Sequence, residues 1–221
     1  MSASTRGAFD QRLIEVRDNL LRMGHLLDTA IDRSMTALKN QDQSLARQVI
    51  SDDTAINNLR FTVEEECLTL IATQQPMASD LRVIVSAMNL VNDMERMAAH
   101  ATGIAKTVLR MGNEPLLKPL IDLPRMADRA RDMLKRSLDA FLARDAAAAR
   151  AIADEDDDID HLYKAIFDEP LEIMARDPST IQRGTYLLWC AHNLERIGDR
   201  VTNIAERVIF MTEGTMQELN R

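Results

Sequence analysis

Asn193-Leu194-Glu195-Arg196-Ile197-Gly198-Asp199-Arg200-Val201-Thr202-Asn203-Ile204-Ala205-Glu206 is the stretch that decides how this chain folds. At 100° per residue, Leu187, Cys190, Leu194, Ile197, Val201, Ala205 and Val208 fall into one apolar stripe, the mark of an amphipathic helix packed on a core. The same text occurs earlier in the chain. Asp93-Met94-Glu95-Arg96-Met97 reads against Asn193–Ile197, and Thr102-Gly103-Ile104-Ala105 reads against Thr202–Ala205. A third pair, Asp53-Thr54-Ala55-Ile56-Asn57-Asn58-Leu59 and Asp156-Asp157-Asp158-Ile159-Asp160-His161-Leu162, keeps nearly the same offset of 100 to 103 residues. One duplicated unit explains all three.

Outward from these copies, apolar residues recur at steps of three and four nearly everywhere. The periodicity predicts helices over 9–39, 44–72, 78–111, 123–143, 146–175 and 179–211. Polar or Pro-containing joints separate them: Asn40-Gln41-Asp42-Gln43, Gln74-Gln75-Pro76 and Asp177-Pro178. Pro170, inside the fifth segment, is expected to kink it. The breakers concentrate at Gly112, Asn113, Pro115, Pro119 and Pro124, which marks a linker over about 112–122. The expected fold class is all-α, with two tandem antiparallel three-helix bundles, residues 1–113 and 114–221.

Composition excludes several classes. Of 221 residues 46% are hydrophobic but only 4% aromatic, with 7 Gly and 6 Pro, too few for the turns of a sandwich, barrel or propeller. Two cysteines cannot build a disulfide framework, and Cys67, Cys190 and the methionines Met94, Met97, Met111, Met126 and Met133 read as core filler. The polar opening predicts no signal peptide, and no apolar run reaches the roughly 20 residues of a membrane span, so a cytoplasmic protein is expected. Net charge is −8 and no basic stripe is expected, which argues against nucleic acid and against direct membrane docking. The acidic excess sits mostly after the linker. No phosphate-cradling glycine loop, nucleophile elbow or zinc-protease motif occurs, so the chain is not expected to be an enzyme. The four histidines share no ligand spacing and read as rim residues.

The distinctive polar feature is a row of acids beside the core stripe. Glu195, Asp199 and Glu206, with Thr202 among them, line one edge of the last helix, and Asp156 and Asp160 flank the inward residues of the fifth. Two helices that each bring a carboxylate pair to one groove offer the oxygen donors that hard or borderline cations prefer. The competing reading is a solvated edge neutralised by Arg196, Arg200 and Arg207, with Asp154, Asp157 and Asp158 simply facing water. In the first half only Asp53 and Glu95 persist, because Ala99, Lys106 and Asn57 stand where the repeat has Asp199, Glu206 and Asp160. Any cation is therefore expected to prefer the second half. A metal store or metal-dependent hydrolase is the alternative function that this row suggests.

Glu195-Arg196-Ile197-Gly198-Asp199 followed by Thr202-Asn203-Ile204-Ala205-Glu206 resembles the E-R-I-G-D…N-I-A-E signature of the PhoU family. Gln75-Pro76-Met77-Ala78-Ser79-Asp80-Leu81-Arg82 is similar to that family's Q-P-x-A-x-D-L-R segment, and Phe9-Asp10 to its opening. The resemblance covers essentially the whole chain. It implies two three-helix bundles, a homodimer, and metal clusters at E/D-x-x-x-D motifs, carried here by Asp156, Asp160, Glu195 and Asp199, and more weakly by Asp53 and Glu95. The metal implied is a divalent or trivalent ion such as iron, zinc, manganese or magnesium. The role implied is a cytoplasmic negative regulator of phosphate uptake and of the phosphate-starvation regulon. Its implied partners are the ATP-binding subunit of the phosphate ABC transporter and a phosphate sensor histidine kinase.

Overall fold

The computed structural model describes residues 3–219; the outermost residues of the two expected halves, 1–2 and 220–221, lie outside them. The chain folds as α1 (Ala3–Asn40), α2 (Gln43–Gln74), α3 (Ser79–Met111), α4 (Asp122–Ala143), α5 (Ala146–Ala153), α6 (Asp156–Arg176), a 3₁₀ turn (Pro178–Thr180) and α7 (Ile181–Glu213). No strand occurs among the described residues. The fold is all-α, two three-rod bundles, with α1–α3 in the first and α4, the α5–α6 rod and α7 in the second.

The equivalent turns are built alike. Gln41 and Arg144 both take the left-handed conformation that ends a helix. The aspartate that follows each one caps the next helix: Asp42 accepts from Leu45 N at 2.9 Å, and Asp145 accepts from Ala147 N and Ala148 N at 3.0 and 2.9 Å. Polar joints that read only as helix stops in the sequence are thus also helix starts.

The expected single helix over 146–175 is two helices. Arg136 of α4 grips Glu155 through both guanidinium nitrogens, at 2.7 and 2.6 Å, and Arg129 of the same helix adds a contact at 3.3 Å. These contacts, which also hold the Glu155 carboxyl below its usual range, fall at the joint, where Glu155 N bonds Ile152 O in a tighter turn than the α-helix. Asp156, Asp157 and Asp158 then open α6, where the positive end of the helix dipole favours acids. Pro170 does not end α6, which runs through it to Arg176.

The core is one continuous cluster across both halves. Leu20, Met23, Leu27, Met94, Met97, Met126, Met133, Leu194, Ile197 and Val201 are all essentially inaccessible, as are Cys67 and Cys190. Burial pushes both thiols up to about 12, so they stay protonated as small apolar groups. The most extensive helix contact is between α3 and α7, the two copies of the repeated text, and its polar bonds are reciprocal. Asp93 on α3 accepts from Arg200 Nη1 at 3.0 Å and Asn203 Nδ2 at 3.2 Å on α7. Its repeat partner Asn193 on α7 meets His100 Nδ1 on α3 at 3.0 Å and presses on Gly103, where a Cβ would lie 2.7 Å from Asn193 Oδ1. His100 and Gly103 are the repeat partners of Arg200 and Asn203. On the other side of the molecule, Arg131 of α4 pairs with Asp28 and Asp32 of α1 at 2.6 and 2.7 Å.

Asp93 and Arg200 are largely buried, with side chains 13% and 17% exposed. Asp93→Ala strands Arg200 and Asn203 and is expected to cost about 2 kcal/mol, whereas Asp93→Asn retains an acceptor and costs less. Urea unfolding followed by circular dichroism distinguishes the two variants.

Candidate functional site

The acids of the second half meet where α6 crosses α7. Ile159 and Ile166 turn into the core, which leaves Asp156 facing α7 and Asp160 at the exposed rim. Close approach depends on Gly198. A Cβ there would stand 2.8 Å from Ile159 Cδ1 and 3.3 Å from Asp156 Oδ1, so a larger residue would force the Ile159 side chain to shift. The sequence signal for this was available, since a glycine in mid-helix costs about 1 kcal/mol and calls for a packing reason.

Burial and mutual repulsion set the charge of the cluster. Burial first, then Asp199 and Asp160, push Asp156 up to about 6, opposed by the neighbouring Thr202 hydroxyl. Burial, then Asp199, Asp160 and Asp156, push Glu195 up to about 7, against the pull of Arg196. Glu195 also raises the Tyr163 phenol above its ordinary value, after burial. The structure therefore brings Asp156, Asp160, Glu195 and Asp199 into one electrostatic group. Glu195 Oε2 is buried without a hydrogen-bond partner, and the imidazole nearest to it is His192, Nδ1 at 3.5 Å.

Part of the group is neutralised. Arg196 donates to Asp199 Oδ2 at 2.6 Å, whereas Arg200 turns away to Asp93. Glu206, on the same edge, accepts from Leu219 N at 2.7 Å and so pins the chain end instead of joining the cluster. Asp154, Asp157 and Asp158 face water, and Asp158 pairs with Arg129. Among the described residues no three acids, histidines or cysteines converge tightly enough to hold a metal ion as they stand. The donor chemistry suits a hard cation, but Asp199 would have to leave Arg196 to serve one.

In the first half Asp53 and Glu95 are half-buried on α2 and α3, and Ala99 contributes no donor. Asn57 accepts from Arg60 Nε at 3.4 Å, and Arg60 also pairs with Glu64 at 3.1 Å, so a guanidinium of α2 already serves this side. Asn92 Nδ2 donates to the same Glu64 at 3.1 Å. Sequence reading missed His100, whose ring sits at the α3–α7 seam. Burial, with Arg200, Arg196 and His192 nearby, lowers its pKa against the Asn193 bond.

The repeated text and the two helical bundles it builds define a duplicated all-helical protein. The PhoU domain profile matches residues 20–108 and 123–208, and the chain belongs to the PhoU family. It is 38% identical to a phosphate-specific transport system accessory protein PhoU homolog of Clostridium acetobutylicum, over 98% of this chain and 99% of that one. The homolog of Pseudomonas putida is also 38% identical, over 94% and 81%. The crystal structure of the phosphate transport system regulatory protein PhoU from Streptococcus pneumoniae superposes with a TM-score of 0.88 at 33% identity, covering 95% of this chain and 99% of that one. PhoU from Pseudomonas aeruginosa gives 0.89 at 35%, over 94% and 100%. No described helix is long and apolar enough to cross a membrane.

The raised carboxyls fix the sign of a pH effect. The folded chain holds protons on Asp156 and Glu195 that the unfolded chain has released above about pH 4–5. Stability from this group is therefore full below that range and falls as pH rises through 6 and 7. Glu195→Gln is expected to exceed the parent chain by about 1–2 kcal/mol at pH 8, after allowance for solvent screening, with no advantage at pH 4. Denaturant midpoints at the two pH values check this.

Proposed function

We propose that this protein, with its halves 1–113 and 114–221, is a negative regulator of phosphate uptake and of the phosphate-starvation response. It acts in the cytoplasm as an adaptor between the ATP-binding subunit of a phosphate ABC transporter and a sensor histidine kinase. The observation that carries this reading is the match to phosphate-specific transport accessory proteins over nearly the full length of both chains. The physics is compatible. Helices of 32 to 38 residues present long stiff faces, and binding shifts a kinase's equilibrium only through unequal affinity for its two states. Nothing in this role calls for bond-making chemistry, and we read the protein as non-enzymatic. A strain lacking the gene is expected to express an alkaline phosphatase reporter even in high phosphate. A reporter that stays repressed rejects the regulator reading for this chain.

A second reading is favoured by the unpartnered Glu195 Oε2 and by the proton-retaining carboxyls beside it. It places a divalent or trivalent cation among Asp156, Asp160, Glu195 and Asp199, with Asp53 and Glu95 a poorer counterpart. A bound cation would supply the positive charge that the buried acids lack. Calorimetric titration of metal-free protein with Mn²⁺ or Zn²⁺ at pH 7.5 is expected to give a binding isotherm that Glu195→Gln with Asp199→Asn abolishes. The same isotherm from the double variant rejects this site.

A further inference from the structure

The sequence has no basic run, yet the fold assembles a basic strip. On α3, Asn92 turns to α2, where it bonds Glu64, and Asp93 turns to α7, where it bonds Arg200, which sets an arc between the two neighbours. At 100° per residue, Arg96 falls within that arc, Arg110 in line with Asn92, and Lys106 about 40° to the other side. All three are exposed. The repeat relation puts Arg196 in the matching arc of α7, with Arg200 and Arg207 along the seam, and Arg196 and Arg200 lie near enough to bias the His100 ring.

The acids on this face are already engaged: Asp93 by Arg200 and Asn203, Asp199 by Arg196, and Glu206 by Leu219 N. Arg96, Lys106, Arg110 and Arg207 make no ion pair among the described residues. At one end of the strip Trp189 is 44% exposed, with the Arg110 guanidinium 5.6 Å from its ring centre. An open positive line is unexpected on a chain of net charge −8.

We propose that the outer face of α3 and α7, from Trp189 and Arg110 to Arg207, is a docking strip for an acidic segment of a partner protein. The strip's width selects that occupant. It is one helix pair wide and bordered on both sides by acids, Glu64 and Glu95 toward α2 and Glu195 and Asp160 toward α6. A flat anionic membrane or a nucleic-acid duplex would meet those acids as well, whereas a narrow acidic helix or strand lies between them. Trp189 beside Arg110 supplies the aromatic and guanidinium anchor on which interface energy concentrates. The proposal rests on the adaptor reading and names the chemistry its partner must present.

The test measures binding of the full chain to the purified transporter ATP-binding subunit and, separately, to the purified cytoplasmic portion of the sensor kinase from the same organism. The variant Arg96→Ala/Lys106→Ala/Arg110→Ala removes exposed charges without ion pairs. The control Arg12→Ala/Arg22→Ala/Lys39→Ala removes equal exposed charge from α1. For at least one partner, the strip variant is expected to bind at least about 30-fold more weakly with an unchanged melting temperature and the control as the parent, while salt raised from 50 to 300 mM weakens the parent about tenfold. Unchanged affinity in the strip variant, or equal loss in the control, overturns the strip and leaves the adaptor reading intact. A parent chain that binds neither protein overturns both. Binding to phosphatidylglycerol vesicles in place of either protein assigns the strip to lipid and overturns the proposal.

Discussion

The packing of α3 against α7 is the constraint on which the rest of the molecule depends. Two copies of one helical text lie side by side, and each places a short polar residue into the other at the same point of the repeat. Asp93 reaches Arg200 and Asn203, and Asn193 reaches His100 and Gly103. A charged bond on one side and a neutral one on the other differ in strength, yet both satisfy groups that burial would otherwise leave wanting. With the seam set, α1 and α2 cover one flank of the core and α4, α5 and α6 the other, and the apolar cluster runs through without a break. The two halves therefore share one apolar core, although the text that encodes them is a tandem repeat.

The same seam explains the character of both polar faces. Helix periodicity sends residues 93 and 193 inward to the seam and residues 92 and 192 outward to the flanks, so acids and bases separate into lanes. The acids of the second half gather between α6 and α7 because Gly198 lets α6 approach closely. Burial and mutual repulsion then hold Glu195 and Asp156 partly protonated near neutral pH. The bases collect on the crest between the flanks, where Arg96 and Arg196 occupy equivalent positions.

Much of this was legible in the letters. The rods, the linker and the core stripe follow from the spacing of Leu187, Cys190, Leu194, Ile197 and Val201, because burial demands that period. The electrostatic proximity of Asp156, Asp160, Glu195 and Asp199 follows from their places beside two core stripes, one pair on α6 and one on α7. The break after Ala153 was not legible. It coincides with the Arg136 contact to Glu155 from another helix, and a propensity-based reading of α5 and α6 has no view of that arginine. The diversion of Arg200 from the acids to Asp93 escaped for the same reason, as did the basic crest, whose members lie about 100 residues apart and become neighbours only through the seam.

Duplication usually leaves a body with two equal sides, and this one has drifted out of balance. Where the later copy keeps Asp160 and Asp199, the earlier copy has Asn57 and Ala99, with Arg60 bonded to Asn57. A ligand or partner that senses charge therefore finds a handed object, whose two repeat copies present different potentials. A scaffold of this kind has a distinguishable left and right.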